Sequence, residues 1–319
     1  KFMETQSASI LMSAYALIEE WNLMEAKAML EAALPDDLDN HDLSFAASCC
    51  SFWRDTKERL PELDSFEQGE SLINHWRHFR IRVKREEDRF GVGKPLEQTV
   101  YTFRKKVFST ALEQYGKNLD KADKLFHAEI CRKIGFCYKQ LGDFETALGY
   151  LQEANATIEG RADIIAEMAD CYDLCGEDKP AKLLFREAFF LDPQKIDLSF
   201  LESPLIGKLT ALVNEKGLSG AELLEWLPVY GTIFGVFNVK RKLKSQEIGR
   251  LKQDIYAKEN EMKDPSNNLA LLKPRLLNMY FWLVDYCELA KESNARIQEA
   301  LLKIKILDKN IYMLYTGNI

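Results

Sequence analysis

Glycine and proline are scarce in this chain. There are 16 glycines and 9 prolines in 319 residues, about 8% where an average protein carries about 12%. Strand-rich folds need frequent turns, and turns draw on those two residues, so a sandwich, a barrel and a collagen-like chain are excluded. Long apolar runs are missing too. The uncharged stretch 226–239 has 14 residues, short of the roughly 20 that a membrane-spanning helix needs. The seven cysteines form no pair of CxxC motifs, and Cys49 and Cys50 are adjacent. That pattern points to reduced thiols filling a core in a reducing compartment such as the cytoplasm. No excess of positive charge is present: 43 Lys and Arg stand against 50 Asp and Glu, a net charge of −7, which argues against a dedicated nucleic-acid binder. The chain opens on Lys1 and no leader pattern follows. A removed signal or upstream domain, and with it a periplasmic or envelope location, stays open.

Enzyme signatures are absent as well. No GxSxG, HExxH or EF-hand loop occurs. Gly91-Val92-Gly93-Lys94 is followed by Pro95 and preceded by no strand, so it reads as a turn and not as a phosphate loop. His75 and His78 are three apart on a helical stretch, and Cys171 and Cys175 four apart, with Cys137 one repeat upstream. Neither set has the companions a metal site needs, and both read as packing residues. The expectation is a non-catalytic chain with no catalytic residue, no metal and no cofactor.

What is present is a period. Comparing each residue of 128–161 with the one 34 positions later gives eight identities: Ala128/Ala162, Ile130/Ile164, Cys137/Cys171, Tyr138/Tyr172, Gly142/Gly176, Ala147/Ala181, Glu153/Glu187 and Ala154/Ala188. Chance supplies roughly two or three at this composition. The identities make physical sense. Ile130, Ile134, Tyr138 and Leu141 recur at three or four, on one face of a first helix. Gly142-Asp143 ends it, and Phe144, Leu148 and Leu151 line a second, with Ala147 and Ala154 as small contacts. These two units, 128–161 and 162–195, resemble the tetratricopeptide repeat (TPR) family. The second reads Ala169, Tyr172, Gly176-Glu177, Ala181, Phe185, Ala188 and Pro193, and the first Gly135, Tyr138, Gly142-Asp143, Ala147, Leu151 and Ala154, with Glu159 in place of the proline.

The resemblance fades outward. Ala14, Ala26, Leu30 and Ala33 keep the spacing over about 7–40, and Ile297, Leu301, Ile304 and Asp308 resemble a second helix and its exit. Helical periodicity elsewhere predicts helices at about 5–20, 22–34, 42–59, 66–89, 96–118, 203–216, 219–228, 240–262, 268–292 and 294–313. The expected fold is all-α: a right-handed α–α superhelix, a TPR-like solenoid with atypical capping helices. Its parts are degenerate hairpins over 1–118, the repeats over 119–200 and a C-terminal helical extension over 201–319, in one continuous array.

By resemblance, the groove-facing positions are Glu129, Arg132, Phe136, Lys139 and Gln140 in the first unit and Asp163, Ala166, Asp170, Asp173 and Leu174 in the second, all but Ala166 taken as partner-binding candidates. The Lys/Asn clamp of chaperone-binding family members does not fit, since Phe136 and Asp163 stand where Asn and a cation are wanted. The leading expectation is a scaffold or adaptor that takes a protein or peptide partner, possibly basic, against Phe136 and the acidic residues. Two alternatives rest on other segments. A peripheral membrane or envelope component would use apolar 226–239, broken by Pro228, Gly231 and Gly235, with basic 240–244. A nucleic-acid-linked regulator would use the basic stripes 77–89 and 240–252. Phe79–Arg85 alternates apolar and basic residues like a strand, but Trp76, Phe79 and Val83 also keep helical spacing, and a helix with a solvated basic face is the expectation.

Overall fold

Four helix hairpins of the chain turn in the same way. In a computed structural model describing residues 2–91, 93–120 and 123–317, fifteen α-helices and a few 3-10 turns make up the regular structure, with no strand among the described residues. Within each of two compact units most helices pack on a neighbour in sequence, an arrangement compatible with a helical repeat solenoid. The first unit ends at Thr157 and the second begins at Ile158.

The first unit holds α1 (Phe2–Glu19), α2 (Leu23–Ala33), α3 (His41–Arg59), α4 (Ser65–Phe90), α5 (Lys94–Gly116), α6 (Lys124–Gln140) and α7 (Phe144–Thr157). Helix α5 contacts α1, α3, α4 and α6. Its Phe103 and Phe108 meet an aromatic group from α3 and α4: Trp53 and Trp76 have centroids 6.2 Å apart, Phe79 and Phe103 5.7 Å, and Trp76 and Phe108 5.2 Å. Each is buried, and removing one such side chain from water contributes about 1.5–3 kcal/mol. Residues 77–89 are therefore helical because Trp76, Phe79 and Val83 all face this core. Asp64 and Glu67 cap the start of α4 reciprocally, through Glu67 N–H to Asp64 Oδ1 (2.8 Å) and Asp64 N–H to Glu67 Oε2 (3.2 Å).

The second unit holds α8 (Ala162–Leu174), α9 (Asp178–Leu191), α10 (Pro204–Asn214), α11 (Gly220–Ile233), α12 (Ser245–Glu261), α13 (Leu269–Leu289), α14 (Asn294–Leu307) and α15 (Lys309–Thr316). One core gathers Phe185, Phe189, Leu209, Val213, Leu227 and Phe237, and another Leu251, Ile255, Leu277, Phe281, Trp282 and Ile304. Arg186 of α9, 2% exposed, reaches Asp285 of α13, donates to the Val239 carbonyl at 3.3 Å and lies over the Trp282 ring at 4.5 Å.

The 34-residue period governs helix ends. Helices α6 and α8 finish at Gln140 and Leu174, and α7 and α9 run from Phe144 and Asp178 to Thr157 and Leu191. The turns match bond for bond. Asp143 N–H donates to Tyr138 O (3.0 Å) and Glu177 N–H to Tyr172 O (2.8 Å), across Gly142 and Gly176 at φ +85° and +80°. The same closure recurs where the period is faint. Asn22 N–H donates to Leu17 O (2.8 Å) across Trp21, φ +62°, and Glu292 N–H to Cys287 O (2.9 Å) across Lys291, φ +53°. The degenerate hairpin expected over 7–40 thus keeps the repeat's turn without its glycine. Three helix expectations need correction. The helix expected over 294–313 is broken at Asp308 into α14 and α15. Helix α11 passes through Pro228 to Ile233, because Leu227, Pro228 and Val229 are all buried by neighbours that hold the backbone in place of the missing N–H. The stretch 240–244 is not helical, and α12 begins at Ser245.

Candidate functional site

The groove positions inferred from the repeat fall in different settings. On α6, Glu129 and Arg132 are three apart and pair with each other, Arg132 Nε lying 3.1 Å from both carboxylate oxygens. Phe136 is buried, edge-on to Phe108 of α5 at 5.7 Å. Lys139 is buried, its Nζ 5.6 Å from the Phe136 ring, and Gln140 is buried as well. Phe136, Lys139 and Gln140 therefore do not line an open surface: the expectation is corrected because the aromatic turns onto α5.

On α8, Asp163 is held by Arg161 Nε at 2.9 Å. Asp170 is 0% exposed. Its Oδ1 accepts the Ser203 N–H (2.7 Å) and the Glu202 N–H (3.0 Å). Asp173, one turn on, accepts the Ser203 hydroxyl and the Leu205 N–H at 3.4 Å. Ser203 in turn accepts the Ile206 N–H at 3.3 Å, so Asp170, Asp173 and Ser203 together satisfy the start of α10. Leu174 is half-buried. The acidic strip is corrected accordingly: its central residue fastens α10 to α8 and is closed to a partner.

Much of the uncharged segment turns inward as well, while Lys84, Arg85, Arg89, Lys242 and Lys244 of the basic stretches are exposed. Within 226–239, Leu227, Val229 and Phe237 are core residues, and Gly231 lies so close to Phe237 that an added Cβ would meet the ring at 2.5 Å. Lys240 pairs with Asp285 (3.0 Å) and Glu288 (2.8 Å), and Arg241 with Glu187 (2.9 Å) and Glu247 (2.7 Å). In the first unit Lys84 pairs with Asp88 at 2.9 Å and Arg82 lies over Phe52 at 5.9 Å. His75 Nε2 lies 3.1 Å from the Phe52 carbonyl, and its ring stacks on Phe52 at 4.3 Å, 6.5 Å from His78. Burial lowers the His75 pKa. Gly93 caps α5, while Val92 of the glycine-rich turn lies outside the described residues. No helix among the described residues is long and apolar enough to cross a membrane.

A cleft of about 360 Å³ opens where none was expected, between α12, α13 and α14. Its apolar lining is Ile255, Leu283, Cys287 and Ala300, with Tyr256 and Tyr286 as aromatic walls. Tyr256 is 69% exposed. Helix α12 turns Ile248, Leu251 and Ile255 to the core, which leaves Lys252, Tyr256 and Glu259 together on its outer face. Helix α14 presents Arg296, Glu299 and Lys303 on the facing stripe. Some of these charges are matched: Lys303 Nζ and the Tyr280 hydroxyl both donate to Glu259 Oε1 at 2.8 Å. Burial pushes the Glu259 carboxyl up, and those two hydrogen bonds outweigh it and hold its pKa below the usual range. Arg296 pairs with Glu292 at 2.9 Å. Among the described residues Lys252 meets only the Tyr286 ring, at 5.9 Å, and exposed Glu299 is in no ion pair. The sequence signal was a tyrosine on the polar side of an amphipathic helix, one residue past the core-facing Ile255.

No protein-family model matches the chain, and no curated protein sequence matches it.

Proposed function

We propose that the chain is a non-catalytic interaction module, TPR-like over α6–α9, that binds a helical segment of a partner protein in the α12–α14 cleft. The 34-residue recurrence of helix ends and turn hydrogen bonds supports the TPR-like reading, and a right-handed superhelix would be its consequence. The observation that carries the binding reading is Tyr256, 69% exposed beside an apolar floor and an unmatched Lys252. Exposed tyrosine over an apolar pocket is the composition of an interface anchor, with charges at its rim to set orientation. An amphipathic helix would seat an apolar ridge on Ile255, Leu283 and Ala300, with an acidic residue toward Lys252.

A photo-crosslinking residue at position 256 of the full chain, in extract of the source organism, tests this. A discrete crosslinked partner is expected from position 256 and not from exposed Leu212 of α10. Lys252→Glu should lower the yield about ten-fold. Equal crosslinking from both positions, or a yield indifferent to Lys252→Glu, would refute the cleft as the contact.

A further inference from the structure

One polar cluster of the first unit has no counterpart in the repeat. His127 in the first turn of α6, Cys131 one turn later and Glu153 near the end of α7 bring one ligand atom each to within 4.8 Å of one another. His127 Nε2 lies 2.8 Å from Glu153 Oε1 and 3.4 Å from Cys131 Sγ. The spacing of four puts His127 and Cys131 on one helix face. The equivalent residues 34 positions on are Arg161, Ile165 and Glu187, which cannot reproduce the set, so repeat packing does not require it.

The orientation of the imidazole is what separates a cation site from a relay. His127 Nδ1 lies 2.9 Å from the Leu119 carbonyl, which accepts only, so Nδ1 carries the proton and donates. Nε2 is then the atom that faces both the carboxylate and the thiol. A nucleophilic Cys–His–acid relay needs the thiol and the acid on opposite ring nitrogens; here both converge on one. In the neutral ring the Nε2 lone pair points at a carboxylate, and only a positive charge between them makes that contact favourable. A proton serves when nothing else is bound.

We infer that His127, Cys131 and Glu153 form a three-ligand site for a divalent transition metal of the zinc type, with the fourth position held by water. The donor set is one nitrogen, one sulfur and one carboxylate oxygen, which suits zinc and not the all-oxygen ions calcium and magnesium. Tetrahedral bonds of about 2.0 Å to nitrogen and oxygen and about 2.3 Å to sulfur put such ligand atoms about 3.3–3.6 Å apart. The Cys131–His127 contact already has that length, and the His127–Glu153 contact needs to open by about half an ångström. The side chains of His127 and Glu153 are 33% and 53% exposed, which gives the ion a route from solvent, and Cys131 is the buried inner ligand. Binding displaces the imidazolium proton from Nε2 and the thiol proton from Cys131. Affinity must therefore rise with pH. The bound ion would tie α6 to α7.

The test uses the whole chain, stripped with chelator and titrated with Co²⁺ as a spectroscopic stand-in. One equivalent should give a near-ultraviolet thiolate-to-cobalt charge-transfer band that one equivalent of Zn²⁺ removes. Cys131→Ser should abolish the band, and Cys175→Ser, at the exposed cysteine, should leave it intact. His127→Gln and Glu153→Gln, on the solvent side of the cluster, should each weaken Co²⁺ binding by more than about ten-fold. Zn²⁺ should raise the melting temperature of the wild type and not of Glu153→Gln. Absence of the band in the wild type at micromolar Co²⁺ overturns the site. So does a band that follows Cys175, or one that survives both the His127 and the Glu153 replacement.

Discussion

Separating Arg186 from Asp285 should be the most damaging surgery available in the second unit. The guanidinium is 2% exposed and has three uses: the Asp285 carboxylate, the Val239 carbonyl at 3.3 Å and the face of Trp282 at 4.5 Å. Its pairing joins α9 to α13 and, through Val239, to the connector before α12. Removing one partner of a buried pair leaves the other charge uncompensated and costs about 3–5 kcal/mol. Arg186→Ala should fall at the lower end, about 3 kcal/mol, because Asp285 keeps Lys240 at 3.0 Å. That loss multiplies the unfolded fraction by about 150. In urea, with a slope of about 2 kcal/mol per molar, the midpoint should drop by about 1.5 M. Asp285→Ala should lose at least as much, since Arg186 then faces only a carbonyl and a ring. Arg186→Met combined with Asp285→Leu should recover most of it, because apolar isosteres carry no desolvation cost. The measurement is urea unfolding of the three variants by circular dichroism. Midpoint shifts below about 0.5 M for both single variants, or a double variant that loses their sum, would refute the reasoning.

Two further outcomes follow from local geometry. Lys291 is exposed and sits at φ +53° in a turn that the repeat units fill with glycine, so Lys291→Gly should raise stability by about 0.5–1 kcal/mol; a lower melting temperature would refute this. Glu247 has its pKa lowered chiefly by the hydrogen bond from Arg241, with the Lys244 N–H adding to it against burial. A depressed carboxylate contributes stability that is present above its unfolded pKa, about 4.3, and is lost as pH falls through the folded value. The stability gap between wild type and Glu247→Gln should therefore be widest near neutral pH and close toward about pH 3. A gap unchanged over that range would count against the ion pair.

Helix positions were largely legible because they follow from spacing within one segment. The ends of α7 and α9 and the turn glycines Gly142 and Gly176 could be read from a 34-residue comparison alone. Pro228 misled because propensity sees the missing N–H and cannot see that Leu227 and Val229 are buried on either side of it. The groove residues misled for a related reason. Helical spacing assigns Asp170 to a face of α8, but whether that face is open depends on Ser203, 33 residues away, delivering its N–H to the carboxylate. The α12–α14 cleft needs three helices from 245–307 to meet before it exists. His127 and Glu153 are 26 residues apart, and nothing in either neighbourhood marks them as partners.

The net charge of −7 takes on a different meaning once its carboxylates are located. A chain with many helices and few glycines has many helix starts, and each start leaves N–H groups without intrahelical partners. Aspartate fills that need repeatedly. Asp123 accepts the Leu125 N–H at 2.9 Å at the head of α6, Asp143 the Thr146 N–H at 3.1 Å at α7, and Asp308 the Ile311 N–H at 2.9 Å at α15. Asp64 and Asp170 do the same for α4 and α10. A carboxylate placed there also meets the positive end of the helix dipole, which is stabilising by about 0.3–1 kcal/mol. Such a carboxylate is already occupied and offers little to a basic partner. The acidity that suggested a cationic ligand is thus in part a consequence of helix number. At the α12–α14 cleft both signs are on offer: among the described residues Lys252 of α12 meets the Tyr286 ring and no carboxylate, Glu299 of α14 is exposed and in no ion pair, and Glu259 is held by two donors. A segment recognised there should present acid on the α12 side of its apolar ridge, toward Lys252, and base only on the α14 side, toward Glu299.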